Sequence, residues 1–134
     1  MRRILLLLGL MLVFAVTATV IAAPASATTG YYGTCTVSTM QPIIIENPGY
    51  VRGRVSVLCT RQTTFSYEMY TIAAGVWYPH QDRTTFKAGT TYWVYGVYAT
   101  AQAGVGYSSA IDFPNNYIAG DTWVLHGAMP YFYW

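Results

Sequence analysis

The chain has 134 residues, of which 9% are charged and 16% are aromatic, and its formal net charge is +2. Two of the seven basic residues, Arg2 and Arg3, lie in a leader that we expect to be removed, and the five that remain balance five acidic residues. Binding to nucleic acid requires clustered cations that displace phosphate counterions, so this neutral balance excludes a nucleic-acid partner.

The first 27 residues have the three parts of a secretory signal peptide. Basic residues open the segment, an apolar run covers residues 4–23, and residues 25–27 are the small residues that signal peptidase accepts. An uncleaved membrane anchor is the alternative, because the apolar run approaches the ~20 residues that span a bilayer. Pro24 and the Ala-x-Ala ending favour cleavage. We therefore predict a signal helix within residues 1–27, a secreted extracellular domain at 28–134, and no membrane span after cleavage.

Two cysteines, Cys35 and Cys59, lie in the part that we expect to be exported. An even pair of cysteines in a small domain of an oxidising compartment is typical of a disulfide. Closing this loop stabilises the fold by ~3.5 kcal/mol on a chain-entropy estimate. A metal site would need more ligands at shorter spacing, so we predict a disulfide between Cys35 and Cys59.

Strand-forming residues and turn residues alternate along the exported part, and no long amphipathic helix is predicted. The patterns predict strands at residues 33–40, 50–60, 64–72, 76–78, 83–87, 90–101, 105–111 and 121–126. The strand at 76–78 is expected to end at Pro79, and Pro48 and Gly49 fit the centre of a type II turn. Short strands at regular spacing indicate a single small antiparallel β-sandwich or barrel.

Two of these segments show the alternation of half-buried strands. Residues 51, 55, 57 and 59 are apolar or Cys and face the opposite side from Arg52 and Arg54. In the next segment, residues 65, 67 and 69 are expected inside, with Glu68 and Tyr70 outside.

The stretch FKAGTTYWVYGVYA, residues 86–99, resembles the corner that leads into the penultimate strand of fibronectin type III and related immunoglobulin-like sandwiches. The resemblance implies an immunoglobulin-like β-sandwich in which Phe86, Tyr92 and Val94 are core residues. It also implies that the tyrosine hydroxyl bonds back to the backbone. Gly96 stands where the family has a second branched residue. The cysteines depart from the antibody pattern, because they lie on the first two predicted strands.

The leader and the early cysteine pair also look like those of small secreted proteins of Gram-positive bacteria. This second resemblance implies a bacterial, extracellular protein. It brings no activity and no partner with it.

Sequence motifs do not indicate an enzyme. The segment GYSSA at 106–110 lacks the second glycine of a Gly-x-Ser-x-Gly turn, and the scattered acids form no glycosidase pair or calcium loop. His80 and Asp82 could meet on a loop, and Asp121 precedes His126, but a polar loop and a strand-end histidine account for them more simply. We predict a non-catalytic protein without a cofactor or metal. A small secreted hydrolase is the least favoured alternative.

The predicted strand at 90–101 is apolar on both faces. One face is expected to lie in the core and carries Tyr92, Val94 and Tyr98. The other carries Trp93, Tyr95 and Val97 and is expected to be a contact surface, because exposed contiguous aromatic area often marks a binding site. The predicted ligand-binding residues are Trp93, Tyr95, Tyr70, Trp77, Tyr78 and Trp123. In the alternative, the tail at 127–134 folds over this face and buries it.

These features predict a secreted, non-catalytic binding module with an aromatic-rich sheet face. The expected partner is an extracellular glycan, a cell-wall component or a protein. Few charges and many Tyr, Thr and Ser side chains are typical of adaptable binding surfaces. The main alternative is an extracellular structural protein that associates with itself through the same face or through an unprotected edge strand.

Overall fold

The computed structural model describes residues 28–45 and 49–134. The predicted signal peptide at 1–27 and the centre of the predicted turn at 46–48 lie outside the described residues. The strands of the described part are β1 (Thr29–Tyr32), β2 (Cys35–Ile45), β3 (Tyr50–Cys59), β4 (Thr63–Ala73), β5 (Val76–Phe86), β6 (Thr91–Thr100), β7 (Gly106–Phe113), β8 (Asn116–Ala119) and β9 (Trp123–Val124). No helix in these ranges has the length and apolarity that a membrane crossing requires.

The strands form two antiparallel sheets. Sheet A has the order β1-β2-β3-β6, and sheet B has the order β5-β4-β7-β8, with β9 also paired to β7. Apolar residues from both sheets lie in one shared cluster between them. The predicted class, an all-β sandwich built from antiparallel sheets, is confirmed.

The main core lies between the middle strands of the two sheets. Val55 and Val57 of β3 meet Phe65 and Met69 of β4 and Ile111 of β7, and each of these side chains is at most 2% exposed. The predicted alternation along β3 and β4 is therefore confirmed. Full burial of side chains of this size contributes about 1.5–3 kcal/mol each, which makes this cluster the main source of stability.

A second apolar cluster closes one end of the sandwich. It contains Val51, Tyr107, Leu125 and Phe132, and the ring of Trp134 packs edge-on against Tyr107 with centroids 5.9 Å apart. The C-terminal tail thus packs at the end of the core rather than over the outer face of β6.

The predicted disulfide is confirmed. Cys35 of β2 and Cys59 of β3 lie directly opposite each other in sheet A, their sulfurs are bonded, and both side chains are fully buried. The bond joins two neighbouring strands of one sheet, as their positions on the first two predicted strands implied.

The prediction of a strand that ends at Pro79 is wrong. Strand β5 continues from Val76 to Phe86 through the proline, which lies opposite Tyr70 of β4. Proline has no N–H to donate, but β5 is an edge strand with a neighbour on one side only, where this loss is tolerated. Two short strands, β1 and β8, have no counterpart among the predicted ones, and the predicted strand at 121–126 is reduced to β9.

The prediction that Tyr98 faces the core is also wrong. Arg54 lies opposite Tyr95 and Arg52 lies opposite Tyr98, so β6 has one more residue than β3 between these pairs. A β-bulge of this kind turns the following side chains to the other face. Tyr98 is therefore 53% exposed on the same outer face as Tyr95, while Ala99 takes its place in the core.

The tyrosine implied to close the corner before β6 is only half-buried. The Tyr92 hydroxyl accepts a hydrogen bond from the Lys87 backbone N–H at 3.1 Å, while Phe86 and Val94 are buried. A more deeply buried tyrosine lies one strand later. Tyr107 donates to the Thr100 carbonyl at 2.7 Å and accepts from the Gln102 N–H at 2.9 Å, which fixes the connection between β6 and β7.

Two hydroxyl groups of sheet B pair with the backbone of sheet A where its ladder is interrupted. Thr71 accepts a hydrogen bond from the Gly53 N–H at 2.9 Å and donates to the Val97 carbonyl at 2.6 Å. Ser109 accepts from the Arg54 N–H at 2.9 Å and donates to the Met40 carbonyl at 3.1 Å. We call Thr71 and Ser109 the hydroxyl pair.

Glycine permits this close approach of the sheets. A Cβ at Gly53 would lie 2.7 Å from the Tyr70 carbonyl oxygen, and a Cβ at Gly96 would fall on the Thr71 hydroxyl. The second branched residue that the family resemblance implies at Gly96 is therefore excluded here by Thr71.

We predict that Thr71→Val lowers the free energy of unfolding by roughly 1–3 kcal/mol, because it leaves the Gly53 N–H and the Val97 carbonyl without their partner. The matched control is Thr64→Val, whose hydroxyl meets Thr85 on the exposed surface, and we expect it to change stability by less than about 0.5 kcal/mol. Urea unfolding of both variants measures the difference. Equal losses would contradict the role given to Thr71.

Candidate functional site

The structure divides the six predicted binding residues between separate surfaces. Trp93 and Tyr95 lie on the outer face of sheet A, where they are paired with Ser56 and Arg54 of β3. Tyr70 and Trp77 lie together on the outer face of sheet B. The other two residues contribute to neither face: Tyr78 is opposite the inward-facing Thr71, and Trp123 is opposite the inward-facing Tyr107.

Arginine side chains stack on the aromatic rings of sheet A. The Arg54 guanidinium lies 5.0 Å from the centre of the Trp93 ring. The Arg52 guanidinium lies 4.7 Å from the ring centre of Tyr95 and 4.5 Å from that of Tyr98. We call these five side chains the arginine ladder.

Hydrogen bonds hold the arginines of the ladder in place. Arg54 donates from Nε to the Gln41 carbonyl at 2.7 Å, and Arg52 donates from Nε to the Gly96 carbonyl at 3.0 Å. The aromatic rings on the outer face of β6 thus stack against fixed arginines of the same chain, and the charges of these arginines make the surface cationic.

The outer face of sheet B carries an aromatic row. Trp77 of β5 meets Tyr70 of β4 edge-on at 5.1 Å and stacks with Tyr117 of β8 at 6.0 Å, with an angle of 24° between the planes. Trp77 and Tyr117 are 45% and 44% exposed. We call Tyr70, Trp77 and Tyr117 the aromatic row.

Small apolar residues support this row. Ala110 and Ala119 are directly opposite each other in β7 and β8, and with Ile72 they form a buried cluster against which Tyr70 packs. Ala110 is completely buried although it lies on an outer face. The row is therefore positioned by packing beneath it.

An open cleft lies beside the aromatic row. Its volume is about 630 Å³, and its lining includes Glu68, Gln81, Arg83, Asp112 and Asn115. Glu68 and Asp112 lie directly opposite each other in β4 and β7, and a third carboxylate residue, Asp82, also lines the cleft. The cleft thus offers hydrogen-bonding groups at the border of an exposed aromatic surface.

Glu68 links the cleft to the row. Its carboxylate accepts hydrogen bonds from the Tyr70 hydroxyl at 2.8 Å and from the Gln81 amide at 3.0 Å. These bonds, that of Gln81 first, lower the pKa of Glu68 below its ordinary value. The bond to the Glu68 carboxylate raises the pKa of Tyr70 to about 12. Burial, and then the charge of Asp112, raise the pKa of Tyr117.

Tyr117, Glu68 and Asp112 were not predicted from the sequence to lie beside Tyr70 and Trp77. Strand β8 has only four residues and follows a tight turn at Asn115, which has a φ of 61°. A four-residue alternation is too short to be distinguished from a loop. Glu68 and Asp112 are 44 positions apart in the chain, and only the pairing of β4 with β7 brings them together.

The residues considered for catalysis lie at different places in the structure. His80 and Asp82 line a second cleft of about 310 Å³ between β5 and β6, together with Trp93 and Tyr95. The Asp82 carboxylate accepts a hydrogen bond from the backbone N–H of Arg83, and the His126 ring lies beside Tyr133 at 5.6 Å. Among residues 28–45 and 49–134, no group of three His, Cys, Asp or Glu side chains could hold a metal ion.

Comparison with protein-family models, with curated proteins and with solved structures finds no match.

We predict that Glu68→Gln shifts the titration of Tyr70 to lower pH, because the carboxylate that favours the protonated hydroxyl is removed. The pKa of Tyr70 is above the ordinary value of 10.0. The unfolded chain therefore loses this proton first, and the contribution of Tyr70 to stability falls as pH rises from 10 towards about 12. Tyrosinate absorbance, compared between the parent and the Tyr70→Phe variant, isolates this residue. An unchanged titration in Glu68→Gln would refute the link.

We predict that Arg54 and Trp93 are energetically coupled by about 0.5–1 kcal/mol, the usual strength of an exposed cation–π contact. A double-mutant cycle with Arg54→Met and Trp93→Leu, followed by thermal unfolding, measures the coupling. Additive losses would show that the stacked geometry contributes nothing to stability.

Proposed function

We propose that this chain is an exported, non-catalytic binding module that holds a glycan on the outer face of sheet B. The stacked, exposed pair of Trp77 and Tyr117 beside the polar cleft is the observation that carries the proposal. Exposed aromatic surface next to convergent polar groups is the usual composition of a ligand site.

Sugar chemistry matches both parts of this surface. A pyranose ring has an apolar face of C–H groups, which packs on a Trp or Tyr ring, and a rim of hydroxyl groups that both donate and accept hydrogen bonds. Trp77 and Tyr117 supply the rings. Glu68 and Asp112 supply acceptors, and the Asn115 amide supplies both a donor and an acceptor.

Packing under the aromatic row lowers the cost of binding. Tyr70 is held by Trp77 on one side and by the Glu68 carboxylate on its hydroxyl. Ordering a free side chain at an interface costs about 0.5–1.5 kcal/mol, and a side chain that is already fixed avoids this loss. The row therefore favours a rigid ligand whose rings repeat along a flat surface, as in a polysaccharide.

The strand order supports an immunoglobulin-like arrangement as the finer description of the fold. In such sandwiches the first, second and fifth strands share one sheet, and the third, sixth and seventh form the other. Counting from β2, these sets are β2, β3 and β6 and then β4, β7 and β8, which are divided between sheets A and B. Tyr107, near the start of β7, supports the same description, since it bonds to Thr100 as the corner tyrosine of that family does.

Export of a domain at 28–134 by a signal peptide at 1–27 is part of the proposal. The Cys35–Cys59 disulfide supports it, because such bonds persist in oxidising compartments. Intact mass of the protein from culture medium would test cleavage after residue 27.

We predict that the dilute protein binds at least one polysaccharide in a panel of soluble β-glucans, xylan, chitin oligosaccharides and peptidoglycan fragments. Trp77→Ala should weaken that binding at least tenfold, because a few aromatic anchors dominate such sites. Affinity electrophoresis and calorimetry measure the change.

Trp123→Ala is the matched control for this experiment. It removes the same side chain at similar exposure, 40% against 45% for Trp77, from a strand outside the aromatic row. It should leave binding unchanged. If the panel yields no ligand, or if Trp77→Ala binds as well as the parent, the proposed function is wrong.

A further inference from the structure

The outer faces of the two sheets differ in charge. The strands of sheet A contain no Asp or Glu, and Arg52 and Arg54 lie on their outer face. The outer face of sheet B has Glu68 and Asp112 at its centre, with Arg83 towards its edge on β5. A surface that carries two cations therefore lies opposite one whose central charges are two carboxylates.

We infer that the outer face of sheet A in one copy of this chain docks on the outer face of sheet B in a second copy. Complementary charge selects the partner and its orientation. Both faces also present aromatic rings, Trp93 and Tyr98 on one and Trp77 and Tyr117 on the other, each at least 44% exposed. Aromatic residues and arginine are the residue types enriched in protein interfaces.

The arginine ladder is suited to this contact. Each guanidinium is stacked on a ring and bonded through Nε to a backbone carbonyl, so its position is fixed before association. A planar guanidinium held in this way can bind a carboxylate through two parallel hydrogen bonds. Glu68 and Asp112 are neighbours across β4 and β7, as Arg52 and Arg54 are neighbours along β3.

Three of the four edge strands, β1, β5 and β8, are poorly suited to association by strand pairing. Edge strands β1 and β8 have four residues each. Edge strand β5 contains Pro79 and the charged residues Asp82 and Arg83. Short strands, proline and charge are the features that discourage edge-to-edge pairing. Strand β6, the fourth edge, has ten residues without proline or charge, so pairing through β6 is the competing route, and the charge-exchange variants below distinguish it from docking of the faces.

The contact joins the outer face of sheet A to the outer face of sheet B, so a complex of two copies still has one free face of each kind. Association of this type continues into an open chain or a closed ring of molecules rather than stopping at a dimer. The inference does not require a glycan, but it uses the surface proposed to hold one. A second copy and a glycan therefore exclude each other at sheet B.

Sedimentation velocity at low salt, without glycan, tests the inference. The parent protein should form species larger than a dimer as its concentration rises. Added salt should shift the association equilibrium towards the monomer. Arg54→Glu and Asp112→Lys should each weaken association at least tenfold. The double variant, with the two charges exchanged, should associate again.

The matched control is Asp121→Lys, which makes the same charge change at an exposed residue outside the strands, and it should associate like the parent. Asp112 is itself exposed, so Asp112→Lys decides the question even if Arg54→Glu fails to fold. A parent that stays monomeric or stops at a dimer, or a double variant no better than the single ones, would overturn the inference. Glycan binding is measured on dilute monomer, so the two proposals can fail separately.

Discussion

The hydroxyl pair connects the two sheets at the point where sheet A departs from regular pairing. Thr71 and Ser109 satisfy backbone groups of Gly53, Arg54, Met40 and Val97, which lie at or beside the bulges of β2 and β6 or opposite them in β3. Without these bonds, buried N–H and carbonyl groups would lack partners, at a cost of about 1–3 kcal/mol for each. The bulges, the close approach at Gly96 and the outward turn of Tyr98 all depend on this contact.

The bulge in β6 and the arginines of β3 together explain why β6 is apolar on both of its faces. Val94 and Ala99 reach the core on either side of the extra residue, while Trp93, Tyr95 and Tyr98 remain outside. The outer rings lie against Arg52 and Arg54, which need flat partners on a face without carboxylates. The aromatic exterior of sheet A is therefore part of the arginine ladder, whereas Trp77 and Tyr117 of sheet B stack on each other.

Features that depend on neighbouring residues could be predicted from the sequence. Alternation along β3 and β4 gave the correct core faces, and a single pair of cysteines left one disulfide to form.

Features that depend on pairing between distant strands could not be predicted. The position of Tyr98 requires the register of β6 on β3, and the aromatic row requires β8, whose four residues carry too little pattern. The end of a strand at Pro79 was predicted wrongly, because a proline is tolerated inside β5 only since that strand lies at the edge of its sheet.

The disulfide also determines how the molecule would bear a mechanical load. Cys35 and Cys59 are 24 positions apart and directly opposite in the sheet, so tension along the chain passes through their sulfurs and bypasses residues 36–58. The hairpin of β2 and β3 is shielded from stretching, and Arg52 and Arg54 lie within it. Strand β6 is outside this covalent ring. Under tension, β6 would therefore separate from β3 while the hairpin of β2 and β3 stays intact. This separation would pull the aromatic rings of the ladder, which are on β6, away from its arginines, which are on β3.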